Sequence, residues 1–180
     1  THRFCIGDLP RCACAGSTYS GTVGVDVEHG DLTWTVIGAL PPGLELISTP
    51  STATIHGTPL LRGTYAFQLV ATDGNGNYAT KTFTIQVIEI ATTTIDPFTV
   101  GTPYSFQLVA DGGSGNFAWA IISGALPDGL TLSTEGLISG TPTGGGSNPI
   151  LFTVVDLTCE SAQRSNFPPR ATLFTVSSTR

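Results

Sequence analysis

Apolar and polar residues alternate along most of this chain. Tyr65, Phe67, Leu69 and Ala71 fall on one side of an extended segment, with Ala66, Gln68 and Val70 on the other. A period of two is the mark of a β-strand with one buried face. The run Thr72-Asp73-Gly74-Asn75-Gly76-Asn77 then gathers turn formers, and Phe83, Ile85 and Val87 resume the alternation. Two such segments around a Gly/Asn turn predict a hairpin. The same reading places strands at 22–27, 32–37, 105–110, 117–122, 150–155 and 171–176, and shorter ones at 54–56 and 137–139. No stretch carries a helical apolar stripe longer than two turns.

The pattern occurs twice. Trp34 leads into Leu40-Pro41-Pro42-Gly43-Leu44, and Trp119 leads into Leu126-Pro127-Asp128-Gly129-Leu130. Gly57-Thr58-Pro59 follows the first and Gly140-Thr141-Pro142 the second, while Tyr19-Ser20 upstream matches Tyr104-Ser105. The tyrosine and tryptophan pairs share an offset of 85 residues. That period is too long for a solenoid unit and suits a whole small β-domain. About seven short strands per copy predict an all-β chain of two tandem immunoglobulin-like β-sandwich domains, 1–90 and 91–180. The junction near Ile90 lacks a flexible Gly/Ser run, so the expectation is a short, stiff connection.

Composition narrows the function. Charged residues make up 11% of the chain, Lys81 is the only lysine, and the net charge is −6. Without a basic patch, binding nucleic acid by phosphate neutralisation is excluded. No apolar run approaches the ~20 residues of a membrane-spanning helix. The chain opens at Thr1 and contains no Met, so it is expected to be a processed product or a fragment of something longer. The scarcity of exposed charge also suits surface covered by neighbours in an assembly.

The duplicated motifs resemble the bacterial and phage putative-Ig repeat family. The residues that carry the resemblance are the two Leu-Pro-x-Gly-Leu elements, Leu137-Ile138-Ser139-Gly140-Thr141-Pro142, and its looser counterpart Thr54-Ile55-His56-Gly57-Thr58-Pro59. The resemblance covers nearly the whole chain beyond its cysteine-rich start. It implies an immunoglobulin-like fold on bacterial surface proteins or on phage tail, head-decoration and fibre proteins. It implies no catalytic residues. The physics agrees: Pro presets φ and Gly supplies freedom in a turn.

Several residues invite a site. The last hairpin of the second copy is much longer than Asp73–Asn77, and long loops on rigid sandwiches carry contacts. Cys159, Arg164, Phe167 and Arg170 are the candidate contact residues there. Among the cysteines, Cys5 could bridge to Cys12 or Cys14, whereas Cys12 to Cys14 would strain disulfide geometry. The spacing is poor for zinc. Trp34 and Trp119, at equivalent places, read as core tryptophans rather than sugar platforms. Asp73-x-Asn75-x-Asn77 imitates the start of a calcium loop, but Tyr78 and Thr84 stand where that pattern needs Gly and Glu. His2, His29 and His56 are scattered. Lys81 reads as an exposed strand residue rather than an isopeptide donor.

The reading is a non-enzymatic structural or interaction protein, with no cofactor and no metal. First comes an exterior bacteriophage virion component (tail, fibre or head decoration), partnered by other subunits of the particle. The alternative is a fragment of a bacterial cell-surface adhesin or extracellular filament. The second alternative is an accessory carbohydrate-binding module facing a surface glycan.

Overall fold

The alternating segment around Phe67 becomes β6 (Gly63–Thr72), and its hairpin partner is β7 (Tyr78–Ile90). Phe67 faces Phe83 and Ala71 faces Ala79 in the antiparallel register. This is a computed structural model; it describes residues 5–25, 31–145, 147–158 and 170–177, with backbone alone at 147–148 and 170–177. All named elements among these residues are strands. The chain divides between Ile88 and Glu89 into two compact units.

In the first unit, β1 (Cys12–Cys14), β7, β6 and β3 (Thr33–Gly38) form one sheet in that order. The second sheet is β2 (Tyr19–Gly24), β5 (Thr52–Gly57) and β4 (Leu44–Ser48). Inward side chains of both sheets, among them Val23, Trp34, Ile55, Phe67, Leu69, Ile85 and Val87, make a single core. The 5.9 Å stack of Phe67 on Phe83 lies within it. This two-sheet arrangement is an immunoglobulin-like sandwich.

In the second unit, β10 (Phe117–Ser123), β13 (Ser147–Asp156) and β14 (Arg170–Ser177) form one sheet. The other is β11 (Leu130–Leu132), β12 (Leu137–Gly140) and β8 (Tyr104–Gln107). A short β9 (Ala110–Gly112) pairs with β7, whose last residues, Glu89 and Ile90, belong to this unit. Phe98, Leu108, Ile138, Ile150, Phe152 and Val154 are buried.

Three elements differ from the sequence expectation. β1 has no alternation because all three of its residues are buried; it pairs in parallel with β7, Ala13 opposite Val87. The strand expected at 22–27 begins at Tyr19, held there by its pairing with Gly57. The strand expected at 105–110 splits into β8 and β9, because the pairing with β12 ends at Gln107 and the Val109 carbonyl accepts instead from the amides of Ala91 and Thr92. Leu44 and Leu130, which close the two Leu-Pro-x-Gly-Leu elements, are the buried first residues of β4 and β11.

Candidate functional site

The two halves of the duplicated motif are parts of one clamp. Leu44 of β4 stands opposite Gly57 of β5, and Leu130 of β11 opposite Gly140 of β12. Gly43 and Gly57 have φ of +91° and +133°, Gly129 and Gly140 of +89° and +139°. A Cβ on Gly43 would collide with the Thr58 carbonyl oxygen, and one on Gly57 with the Gly43 oxygen. The second copy repeats both collisions, Gly129 with Thr141 and Gly140 with Gly129. Only glycine combines that φ with so close a backbone approach. Hydrogen bonds close the contact: the Thr58 amide donates to the Gly43 carbonyl at 3.1 Å, and the Leu44 amide to Pro41 at 2.9 Å. The Pro carbonyl of each Gly-Thr-Pro accepts from the turn just before the tyrosine that opens the same copy, Gly16 to Pro59 and Gly101 to Pro142, both 2.8 Å. The tyrosines finish the pattern. The Tyr19 hydroxyl donates to the Pro10 carbonyl at 2.8 Å, and the Tyr104 hydroxyl to the Asp96 carbonyl at 2.6 Å. Burial holds the Tyr19 phenol far above its ordinary range. The motif is therefore structural, as its glycines predict.

Trp34 and Trp119 are buried on β3 and β10, both 5% exposed, which removes them as sugar platforms. Asp73 makes a turn. Its Oδ1 accepts from the amides of Asn75 and Asn77, both at 2.8 Å, and its Oδ2 from Asn77 Nδ2 at 2.9 Å. Asp156 holds the matching place in the second copy and is almost wholly buried. It accepts from the Ser114 amide and hydroxyl at 2.6 and 2.7 Å, and from the Thr158 amide and hydroxyl at 2.9 and 2.7 Å. Desolvation raises its pKa, but these donors outweigh it and hold the carboxyl below the usual carboxylate range. Among the described residues no group of three or more His, Cys, Asp or Glu gathers as metal ligands, and no helix is long and apolar enough to cross a membrane.

The cysteines correct one expectation. Cys12 is disulfide-bonded, whereas Cys5 and Cys14 stand as thiols, exposed and buried respectively. Neither local bridge, Cys5 to Cys12 or Cys5 to Cys14, is formed. β1 fixes Cys12 and Cys14 in the sheet, while Cys5 precedes the single bridge that ties Ile6 to Val25. Of the candidate contact residues, Cys159, Arg164 and Phe167 lie outside the described residues, as do His2 and His29. Arg170 opens β14, its backbone opposite Val154.

Lys81 is a second correction. Its side chain is one-third exposed and engaged, not free in solvent. The ammonium lies 2.8 Å from Asp8 Oδ1, donates to the Ile6 carbonyl at 3.0 Å, and sits 5.7 Å from the Phe83 ring centroid. The lone lysine thus ties the cysteine-bearing amino-terminal segment to β7. No local sequence signal links positions 75 residues apart.

Comparison with known proteins agrees with this architecture. The family described as putative Ig domain matches twice in tandem, over residues 13–88 and 89–172. The serine-rich adhesin for platelets of Staphylococcus aureus is 39% identical over 133 residues, which is 71% of this chain and 6% of the adhesin. The same adhesin of strain MRSA252 is 38% identical, again over 71% of this chain and 10% of the relative. The chain thus spans only a small part of these relatives' length. Among solved structures, invasin, a bacterial integrin-binding protein, aligns with 97% of this chain and 38% of its own at a TM-score of 0.58 and 10% identity, a likeness of fold alone. With two matches that together take in most of its length, the chain belongs to the putative Ig domain family, as two tandem immunoglobulin-like domains.

Proposed function

We propose that this chain is a non-enzymatic adhesive module of a bacterial cell-surface protein, presenting two immunoglobulin-like domains outside the cell. The observation that carries the reading is the 39% identity to a staphylococcal adhesin across 133 residues. That stretch is longer than either domain, so the tandem arrangement itself is shared. The disulfide at Cys12 adds support, because such bonds persist in oxidising, extracytoplasmic surroundings. The relatives favour this surface reading over the virion reading, which the sequence had placed first. The carbohydrate-module reading loses its main prop with the burial of both tryptophans.

The test uses antibodies raised against the 180-residue chain, applied to intact cells of its source before and after surface proteolysis. The expected result is labelling of intact cells that proteolysis removes, on a protein much longer than this chain. Recovery at fixed stoichiometry with capsid or tail proteins in purified particles would overturn the reading.

A further inference from the structure

Among the described residues, one face of the first unit carries no charge. On β3, β6 and β7 the inward row includes Trp34, Leu69 and Phe83, so the alternate residues point outward. The register sets two rows of three across the centre of that face. Thr35, Val70 and Thr80 form one; Ile37, Gln68 and Thr82 form the other. Val70 is partly exposed and the other five are exposed. The remaining outward positions of β3, β6 and β7, as far as Gln86, are Thr, Ala, Tyr or Gln. Lys81 lies in the inward row, bound to the amino-terminal segment. Asp31 and Asp73 stand beyond the strand ends. The other sheet differs, since Glu45 projects from β4 and is 72% exposed.

We infer that this uncharged face packs against the same face of a second copy of the chain. Charge selects that occupant. Two chains of net charge −6 repel, and a patch without carboxylates is where they approach at least cost. Burying it desolvates no ion. Thr, Val, Ile and Ala also lose little rotamer freedom on burial, unlike the long charged side chains most surfaces present. A two-fold axis would bring the same patch of both copies together. Its size sets the strength. Three strands about 4.8 Å apart, two of them ~30 Å long and one ~20 Å, cover roughly 400 Å². A stable dimer needs about 800 Å² per partner, so this contact is weak and acts through many copies on one surface. The inference goes beyond the surface reading and is tested without it.

The experiment is sedimentation velocity of the 180-residue chain from about 10 μM to about 1 mM, a range that covers weak association. The variants are Thr35→Glu/Thr82→Glu on the face and Ser20→Glu/Ile47→Glu on the other sheet. Thermal melts check that both remain folded. The expected result is a monomer–dimer shift that the face pair abolishes and the control pair spares. Added salt should strengthen it by screening the repulsion between the two chains. A chain that stays monomeric at the top concentration would overturn the inference. So would a dimer that survives the face substitutions, or one that salt dissociates. Binding of a neutral oligosaccharide to this face without self-association would also overturn it, leaving the surface reading intact.

Discussion

Replacing Gly43 by Ala asks the most of the clamp. The residue sits at φ +91°, where an L side chain costs about 1–2 kcal/mol. Its new Cβ would also strike the Thr58 carbonyl oxygen. That oxygen is backbone and cannot swing aside, so β4 and β5 must part at the Leu44–Gly57 pair. Parting them loses the Thr58-to-Gly43 hydrogen bond, worth about 1 kcal/mol, and loosens the buried Leu44. The sum is roughly 3 kcal/mol. A unit of this size has on the order of 4–13 kcal/mol in all, and each kcal/mol moves its Tm by about 4–8 °C. The expected fall is therefore roughly 12–24 °C. Gly76→Ala is the reference: its φ is +82°, yet nothing lies within 4 Å of the added carbon. Differential scanning calorimetry of both variants separates the collision from the φ penalty. Equal shifts for Gly43→Ala and Gly76→Ala would refute the clamp argument. Gly129→Ala should repeat the effect in the transition of the second unit, through Thr141.

Three further outcomes are expected. Asp156 has its folded pKa held below the unfolded value, so its stabilisation is complete above the unfolded pKa and is lost as pH falls through the folded one; Asp156→Asn should lower stability at neutral pH and flatten the acid limb of an equilibrium denaturation series below about pH 4. Lys81→Ala should destabilise by about 1–2 kcal/mol, mostly through the Ile6 carbonyl. Asp8→Ala should cost no more than about 0.5 kcal/mol, because Asp8 is exposed, and a urea double-mutant cycle measures the difference. The Tyr19 phenol, raised by burial, favours the folded state below the unfolded tyrosine pKa and loses that advantage as pH climbs beyond it. Absorbance titration should therefore find it un-ionised until alkaline unfolding, and Tyr19→Phe should cost about 1 kcal/mol from the lost bond to Pro10.

The strands that alternate cleanly, β3, β6 and β7, were legible because one face of each is buried and the other wet. β1 was not, since a strand covered on both faces has no period to read. The clamp was half legible. Its two segments announced themselves by repetition, but a sequence does not say that Gly43 and Gly57 touch back to back. Lys81 was misread for a related reason: its partners, Asp8 and Ile6, arrive only after the sandwich closes. The uncharged face is written in the alternation itself. It needed the register of three strands before Thr35, Val70 and Thr80 could be seen as one row.

The parallel pairing of β1 with β7 bears on how the first unit would answer a pull. Tension enters through the amino-terminal end of β1 and leaves through the carboxy-terminal end of β7. In parallel strands those are opposite ends of the shared ladder. The bonds between Gln86 and Arg11, and between Ala15 and Ile88, then carry load together, in shear. An antiparallel pair drawn from the same end would open one bond at a time, like a zip. A domain closed this way yields late and abruptly rather than strand by strand.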